Sequence, residues 1–366
     1  MTKIRIGVLF GGRSGEHEVS LMSSRSVLSV LDPQKYEITE IGITHSGEWW
    51  SGKQTWQKFQ EGSFEGLYRV LLIPEPGKTV LYKREKDNLE PLVELDVIFP
   101  VLHGTFGEDG TLQGFFEMAD IAYVGAGVLG SSVGMDKGLF KDVMRSNNIP
   151  VVDWIIASRK DAEKNIDALM HDTEALGTYP FFIKPANLGS SVGISKCKNH
   201  SDLLEGIMQA CRFDRRILIE RGVENAREIE VSVLGNEFPR ASLPGEIKPS
   251  DEFYSYKAKY IDDRSELIIP APLPKETIAE IQDIAIRTYK AIDCAGMARV
   301  DFLVNGATNQ LFVNEVNTIP GFTKISMYPK LWEASGLSYA ALVDELVNLA
   351  FERKAERNRS ERKYSE

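Results

Sequence analysis

The sequence predicts an α/β protein of two or three domains, and three observations carry that expectation. The chain has 366 residues, too many for a single core at roughly 150 residues per domain. Its composition, 43% hydrophobic, 26% charged and 9% aromatic, is that of a folded protein in water and not of a disordered or fibrous chain. Its patterning alternates between period two and period 3.6, from a strand, glycine turn and helix near the N-terminus to a long alternating hairpin near the C-terminus.

Taken in order, Ile4, Ile6, Val8 and Phe10 alternate with Arg5, Gly7 and Leu9, which predicts a strand that Gly11 and Gly12 break. A helix follows through Val19, Met22, Val27 and Val30, then a strand over about Glu37 to Ile43. The polar stretch with Trp49, Trp50 and Trp56 has no readable period, and the apolar run from Leu95 to Leu102 ends at His103. An open α/β layer over residues 1–128 accounts for these elements.

The small-residue segment from Gly125 to Gly134 reads as a linker, after which MDKGLFKDVMRSNNIP reads as a helix stopped by Pro150. Strands at Trp154 to Ala157, Pro180 to Lys184 and Arg216 to Glu220, with a helix around Leu203 to Cys211, fill a second domain over 129–225. A third, over 226–352, runs through strands, an aperiodic loop, a helix at Ile278 to Ile292 and the hairpin from Met297 to Thr318. Its last helix is capped by Ser338 and lines up Leu342, Val343, Leu346, Val347 and Ala350. Residues 353–366 are almost free of apolar side chains and read as a solvated tail without chemistry.

Lys plus Arg number 43 and Asp plus Glu 53, a net charge of −10, which argues against nucleic acid and anionic membrane as partners. Anionic small ligands stay open, because lysines and backbone N–H groups can converge locally. Cys197, Cys211 and Cys294 are odd in number and lack metal-ligand spacing, so they read as packing residues in a reducing compartment. MTKIRIGVLFGG enters a strand directly, and no run approaches the ~20 apolar residues of a membrane span. The expected location is cytoplasmic.

The hairpin carries the strongest chemical signal. Alternation about a turn centred near residue 308 puts Arg299 and Asp301 on one face, with Glu315 and Asn317 on the partner strand beside them. Adjacent carboxylates repel unless a proton or a cation lies between them, and all-oxygen donors suit Mg²⁺. The alternative is a wet face on which both carboxylates bridge Arg299. The irregular TIPGFTKIS after Asn317 would add the Gly321 N–H and the Ser326 hydroxyl.

In FFIKPANLGSSVGISK a strand delivers Lys184 to a glycine- and serine-rich loop able to cradle phosphate, although the Walker spacing is absent and a plain hairpin turn is the alternative. In RILIERGVENAREIE a strand ends at Glu220 and Glu228 follows, a pattern that can hold a nucleoside but also occurs as exposed solubilising glutamates. Gly125, Gly127 and Gly130 match the dinucleotide fingerprint in letters only. The first strand lies far upstream and no acidic strand end follows at about 20 residues. Glu16 and His103 sit at turns after strands, where ligands of open sheets bind and where structural capping is equally common.

These motifs occur in one order along the chain: FGGRSGEHEVS, VLHGTFGEDGTLQG, MDK, KPANLGSSVGISK, YKAKY, GMARVDF and NEVNTIPGFTKISMYPKLW. In them the chain resembles the D-alanine:D-alanine ligases of the ATP-grasp family. That resemblance implies an N-terminal open α/β domain followed by two ATP-grasp domains of α+β character. It also implies ATP between the second and third domains, and two D-alanines where the first meets them.

Carried over motif by motif, the resemblance implies that Lys137 and Lys184 bind ATP phosphates and that the loop at Ser190 and Ser191 closes over them. Glu220, Arg221 and Val223 would hold adenine, and Glu228 the ribose. Asp301, Glu315 and Asn317 would ligate two Mg²⁺ ions, with Mn²⁺ able to substitute. Glu16 would receive the ammonium of the first D-alanine, linked through Ser190 to Tyr260 on the lid SDEFYSYKAKYIDD, and His103, Lys259 and Met327 would line the substrate subsites. Arg299 and the Gly321 N–H would stabilise the tetrahedral adduct, and Ser326 would bind the second carboxylate. Tyr260 would favour an amine over D-lactate as second substrate, and a homodimer is expected.

Overall fold

The computed structural model describes residues 2–189, 192–248, 266–323 and 325–361. Its strands form three sheets with helices between and upon them, so the expected α/β class is the one the chain adopts.

The first sheet starts as the alternation requires, with β1 (Ile4–Gly11), α1 (His17–Val30) and β2 (Tyr36–Ile43). The chain continues through β3 (Trp49–Gly52), α2 (Thr55–Gln60), β4 (Leu67–Leu72), β5 (Val80–Glu85) and β6 (Asn88–Glu94). It then returns in β7 (Val97–Pro100), α3 (Thr111–Met118) and β8 (Ala122–Tyr123). The strand order is β6-β5-β4-β3-β2-β1-β7-β8, with β2, β1, β7 and β8 parallel and the rest antiparallel. The tryptophan stretch without visible period is therefore the start of an antiparallel wing. Trp56 Nε1 donates to the Leu21 carbonyl at 2.8 Å, and Trp49 meets Phe115 edge-on at 6.1 Å between centroids.

The segment expected to be a linker is instead helix α4 (Val128–Met135), followed directly by α5 (Lys137–Ser146). Its glycines serve close packing and not freedom of the backbone. A Cβ on Gly130 would stand 3.0 Å from the Asp293 carbonyl oxygen, and one on Gly134 would stand 3.1 Å from Thr318 Cγ2. Asp136 caps α5 by accepting from Gly138 N and Leu139 N at 3.1 and 3.0 Å, a contact of the kind worth about 1 kcal/mol.

The second sheet holds β9 (Trp154–Ser158), β10 (Phe181–Pro185), β11 (Ser195–Cys197) and β12 (Arg216–Arg221), all antiparallel in the order β11-β10-β12-β9. Helices α6 (Arg159–Lys164), α7 (Ile166–Glu174) and α8 (His200–Phe213) accompany it; α6 and α7 were not expected from the sequence. Ile183, Ile217 and Ile219 pack with Leu203 and Ile207 in a core that, among the described residues, takes members only from this unit.

The third sheet is antiparallel, β16-β15-β13-β17-β18 with β14 beside β13. Its strands are β13 (Ala226–Leu234), β14 (Arg240–Ala241), β15 (Gly245–Lys248), β16 (Glu266–Ile268), β17 (Met297–Asn305) and β18 (Leu311–Asn317). Helix α9 (Lys275–Ala291) packs on it, as do α4 and α5, so packing crosses the boundary expected near residue 225. Helices α10 (Met327–Ala334) and α11 (Tyr339–Arg357) share a core with the first sheet, in which Phe322 meets Phe99 at 5.9 Å and Tyr328 at 5.5 Å.

Ser338 caps α11 as expected, accepting from Ala341 N. The expected tail begins differently, because residues 353–357 are the last turn of α11. Arg353 donates to the hydroxyl and carbonyl of Tyr123 at 3.1 and 3.2 Å, and Arg357 pairs with Glu117 and Asp120. Among the described residues no helix is long and apolar enough to cross a membrane.

Candidate functional site

The first wall of the site is the switch point of the first sheet. Strands β1 and β7 run parallel side by side, and the loops leaving their carboxyl ends open a crevice there. Gly11 takes φ +86°, and a side chain at that place would strike the Ile43 carbonyl. Ser14 Oγ accepts from Glu16 N at 3.1 Å and donates to the His103 carbonyl at 2.8 Å, tying the two loops together. Glu16 is thereby held in the crevice, 8% exposed.

His103 is buried with both ring nitrogens taken, Nε2 by Ser23 Oγ at 2.9 Å and Nδ1 by the Ile319 carbonyl at 3.0 Å. Burial pushes its pKa down, so the ring is neutral. Glu108 lies beside it and was not singled out in the sequence. Its carboxyl accepts from Gly104 N at 2.7 Å and Ile319 N at 3.1 Å, and desolvation followed by the charge of Glu16 pushes it up to about 8. The GEDG run after His103 was the available signal.

The second wall comes from α5 and the second sheet. Lys137 donates its N–H to the Ala186 carbonyl at 3.0 Å and its Nζ to the Leu188 carbonyl at 2.6 Å, holding the stem of the glycine loop. Lys184 on β10 reaches Glu220 on β12, the strand paired with it. Glu220 also pairs, through Oε1 at 2.6 Å, with Lys141, a fully buried lysine that the sequence reading missed. Spacing offered a clue, since Lys141 follows Lys137 by four residues on one helix face.

Burial alone would raise the Glu220 acid, but Lys141 and Lys184 outweigh it and hold the carboxyl at about 2. Burial would likewise lower Lys184, yet Glu220 and then Glu315 keep its ammonium above the usual value. Lys184 also donates to Asn314 Oδ1 at 3.2 Å. The wall therefore carries fixed positive charge.

The third wall is the hairpin. Arg299 stands opposite Asn317 and Asp301 opposite Glu315, as the turn centre predicts. Phe302, however, pairs with Val313, so Asn314 is an extra residue and the strand bulges. Strict alternation from buried Val313 would turn Glu315 into the core. The bulge lets Val313 and Val316 both face inward while Glu315 and Asn317 face the cavity.

Arg299 grips Asp301 with two hydrogen bonds at 2.7 and 2.6 Å and pairs with Glu230 at 2.9 Å, while Asn317 Nδ2 donates to Asp301 at 3.0 Å. Burial opposes its charge, but Asp301 and Glu230 hold Arg299 well above the ordinary arginine pKa. The carboxylate–arginine pairing read as an alternative is therefore present. A carboxylate has about four lone-pair sites, and these bonds to Asp301 number three. No group of three or more His, Cys, Asp or Glu among the described residues is arranged to hold a metal; the oxygen set here is two carboxylates and an amide.

Beyond β18, Ser326 Oγ accepts from Thr323 N at 3.0 Å, and a Cβ on Gly321 would stand 2.8 Å from that oxygen, so a side chain there would crowd Ser326. Met327 starts α10, buried beside Ile247 and Leu331.

One cavity of about 580 Å³ gathers these groups. Glu16, His103, Lys137, Lys184, Glu220, Arg221, Val223 and Glu228 line it, with Arg299, Asp301, Glu315, Asn317, Gly321, Ser326 and Met327. Ser190, Ser191, Lys259 and Tyr260 lie outside the described residues. Lysines, carboxylates and a loop N–H facing one space can bind a polyanion and a small zwitterion side by side.

Similar proteins are known. The family model described as the D-ala D-ala ligase N-terminus matches residues 5–126, and the one described as the C-terminus matches 143–348. A D-alanine–D-alanine ligase of Natranaerobius thermophilus is 48% identical over 367 residues, covering 100% of both chains. Among solved structures, the D-alanine-D-alanine ligase from Coxiella burnetii has a TM-score of 0.83 at 38% identity, covering 98% of this chain and 97% of that one. The VanG D-Ala:D-Ser ligase from Enterococcus faecalis has a TM-score of 0.84 at 35% identity, covering 95% and 100%.

Proposed function

We propose a function from one premise: the chain belongs to the D-alanine:D-alanine ligase family. It is an ATP-dependent ligase that joins two D-alanines into D-alanyl-D-alanine, a peptidoglycan precursor for the cell wall, with release of ADP and phosphate. The observation that carries this reading is the single cavity in which the lysine wall, the carboxylate hairpin and Glu16 meet.

ATP lies along the second and third sheets. Its phosphates meet Lys137 and Lys184, with Ser190 and Ser191 closing over them; its adenine lies at Glu220, Arg221 and Val223 and its ribose at Glu228. Because the Glu220 carboxylate is spent on two lysines, what it offers adenine is its backbone. The donor set of Asp301, Glu315 and Asn317 is all oxygen, which fits Mg²⁺, with Mn²⁺ as substitute. When bound, two such ions supply neutralisation of the charge that accumulates as phosphate and carboxylate approach.

The residues do the rest. Glu16 takes the ammonium of the first D-alanine and, through Ser190 and Tyr260, links to the lid; His103, Lys259 and Met327 shape the subsites. The first carboxylate attacks the γ-phosphorus and ADP leaves, giving an acyl phosphate. The second amine, having lost a proton, attacks its carbonyl carbon and phosphate leaves. Arg299 and the Gly321 N–H face the oxyanion, a contribution of about 2.7–4 kcal/mol per donor, and Ser326 holds the second carboxylate.

By role the chain divides into 1–128, 129–225 and 226–352 with a short end at 353–366, even though packing crosses those lines. It works as a homodimer in the cytoplasm. The test is phosphate release from Mg-ATP with D-alanine, with L-alanine and with no amino acid. Release with D-alanine alone is expected, and equal release with L-alanine overturns the reading. A second arm offers D-serine or D-lactate beside D-alanine. D-lactate ester formation at neutral pH as fast as the dipeptide or faster would remove the role given to Tyr260.

A further inference from the structure

We propose that Lys141 is a positioning residue of the phosphate wall: by occupying one oxygen of Glu220 it keeps Lys184 from being neutralised and preserves one net positive charge toward the cavity. The inference rests on the reading of that wall as the ATP phosphate site. Lys141 itself does not line the cavity, whereas Lys184 and Glu220 do.

Lys141 is completely buried on α5, its Nζ 2.6 Å from Glu220 Oε1 and 5.9 Å from the centroid of the Trp154 ring. The other oxygen of Glu220 pairs with Lys184. Glu220 is 2% exposed and Lys141 fully buried, so solvent screens their pairing only weakly. Two ammonium groups and one carboxylate sum to +1. Without Lys141 the remaining pair sums to zero, and both contacts of Glu220 collapse onto Lys184. A buried lysine is costly unless its charge is used, and here the structure supplies the use.

Charge bookkeeping of this kind predicts rescue. Lys141→Met leaves Glu220 to cancel Lys184, whereas adding Glu220→Gln leaves Lys184 as the one charge and restores +1. A packing role would predict no recovery from the second change.

The full-length chain is titrated calorimetrically with ATP and, separately, with adenosine, which lacks phosphate. In wild type ATP binds more tightly than adenosine. In K141M the ratio of ATP to adenosine affinity falls about tenfold or more while adenosine binding stays within threefold, and in K141M/E220Q the ratio returns to within threefold of wild type. An unchanged ratio in K141M, an equal loss for both ligands, or no recovery in the double variant overturns the proposal. If K141M does not fold, the double variant is read alone, and a tenfold loss of the ratio there overturns it. A wild type that binds neither ligand refutes the nucleotide site itself, an outcome distinct from any of these.

Discussion

At the scale of single residues, the site is a set of charges held away from their ordinary behaviour, and each displacement predicts something. Glu108 is pushed up to about 8 from its ordinary 4.5, by desolvation first and then by Glu16. Above pH 4.5 the unfolded chain gives up this proton while the folded chain keeps it until about 8. Stability owed to Glu108 is therefore full below 4.5 and declines as pH rises to about 8. Glu108→Gln abolishes that decline, so the wild-type urea midpoint falls relative to the variant's over the window. A wild-type midpoint that rises relative to the variant's as pH increases contradicts the direction of the shift. Glu315→Gln removes an anionic oxygen from the hairpin set and lowers turnover by about 100-fold or more, while adenosine still binds. Unchanged activity refutes its assignment as a ligand.

At the scale of elements, the hairpin shows both what the sequence tells and what it hides. The centre of the turn was enough to pair Asp301 with Glu315, because register follows from turn position alone. The bulge was not visible, since one extra residue changes no local propensity, although apolar Val313 and Val316 at odd spacing were its trace. Asn314→Ala keeps the bulge and costs Lys184 only an acceptor, about 0.5–1.5 kcal/mol, so the KM for ATP rises several-fold. Deleting Asn314 removes the bulge but leaves Val313, Glu315, Val316 and Asn317 in strict alternation, so Glu315 and Asn317 keep the cavity face and turnover stays near that of the alanine variant. A kcat far below the alanine variant's would show that the extra residue itself is needed to set the site. Helix α4 was hidden for a related reason: Gly130 and Gly134 read as flexibility when seen alone, and only their neighbours Asp293 and Thr318 reveal them as contact residues. Lys141 looked like any helix lysine because its burial depends on Glu220, far along the chain.

At the scale of the whole molecule, the cores do not follow the order of the chain. The first sheet and the helices after β18 share one core, with Phe322 packed against Phe99, Tyr328 and Tyr339. Arg353 and Arg357 close the same junction from the end of α11. The second sheet keeps a core of its own. Segments that share a core lose it together, whereas a separate core can open by itself. Native-state hydrogen exchange therefore sorts the amides into two groups, β9 to β12 opening independently of β1, β7 and α11. Phe322→Ala, which empties a fully buried ring site, costs about 3–5 kcal/mol, and lowers protection of β1, β7 and α11 alike. Ile219→Ala, also fully buried, lowers protection in β9 to β12 alone, by about 2–5 kcal/mol. Lys184 and Glu220 sit on the second sheet and Glu315 on the third, so opening of the second sheet alone would widen the cavity between them. Were Ile219→Ala to weaken β1 and α11 as much as β12, the molecule would be one cooperative unit and access to the cavity would need another route.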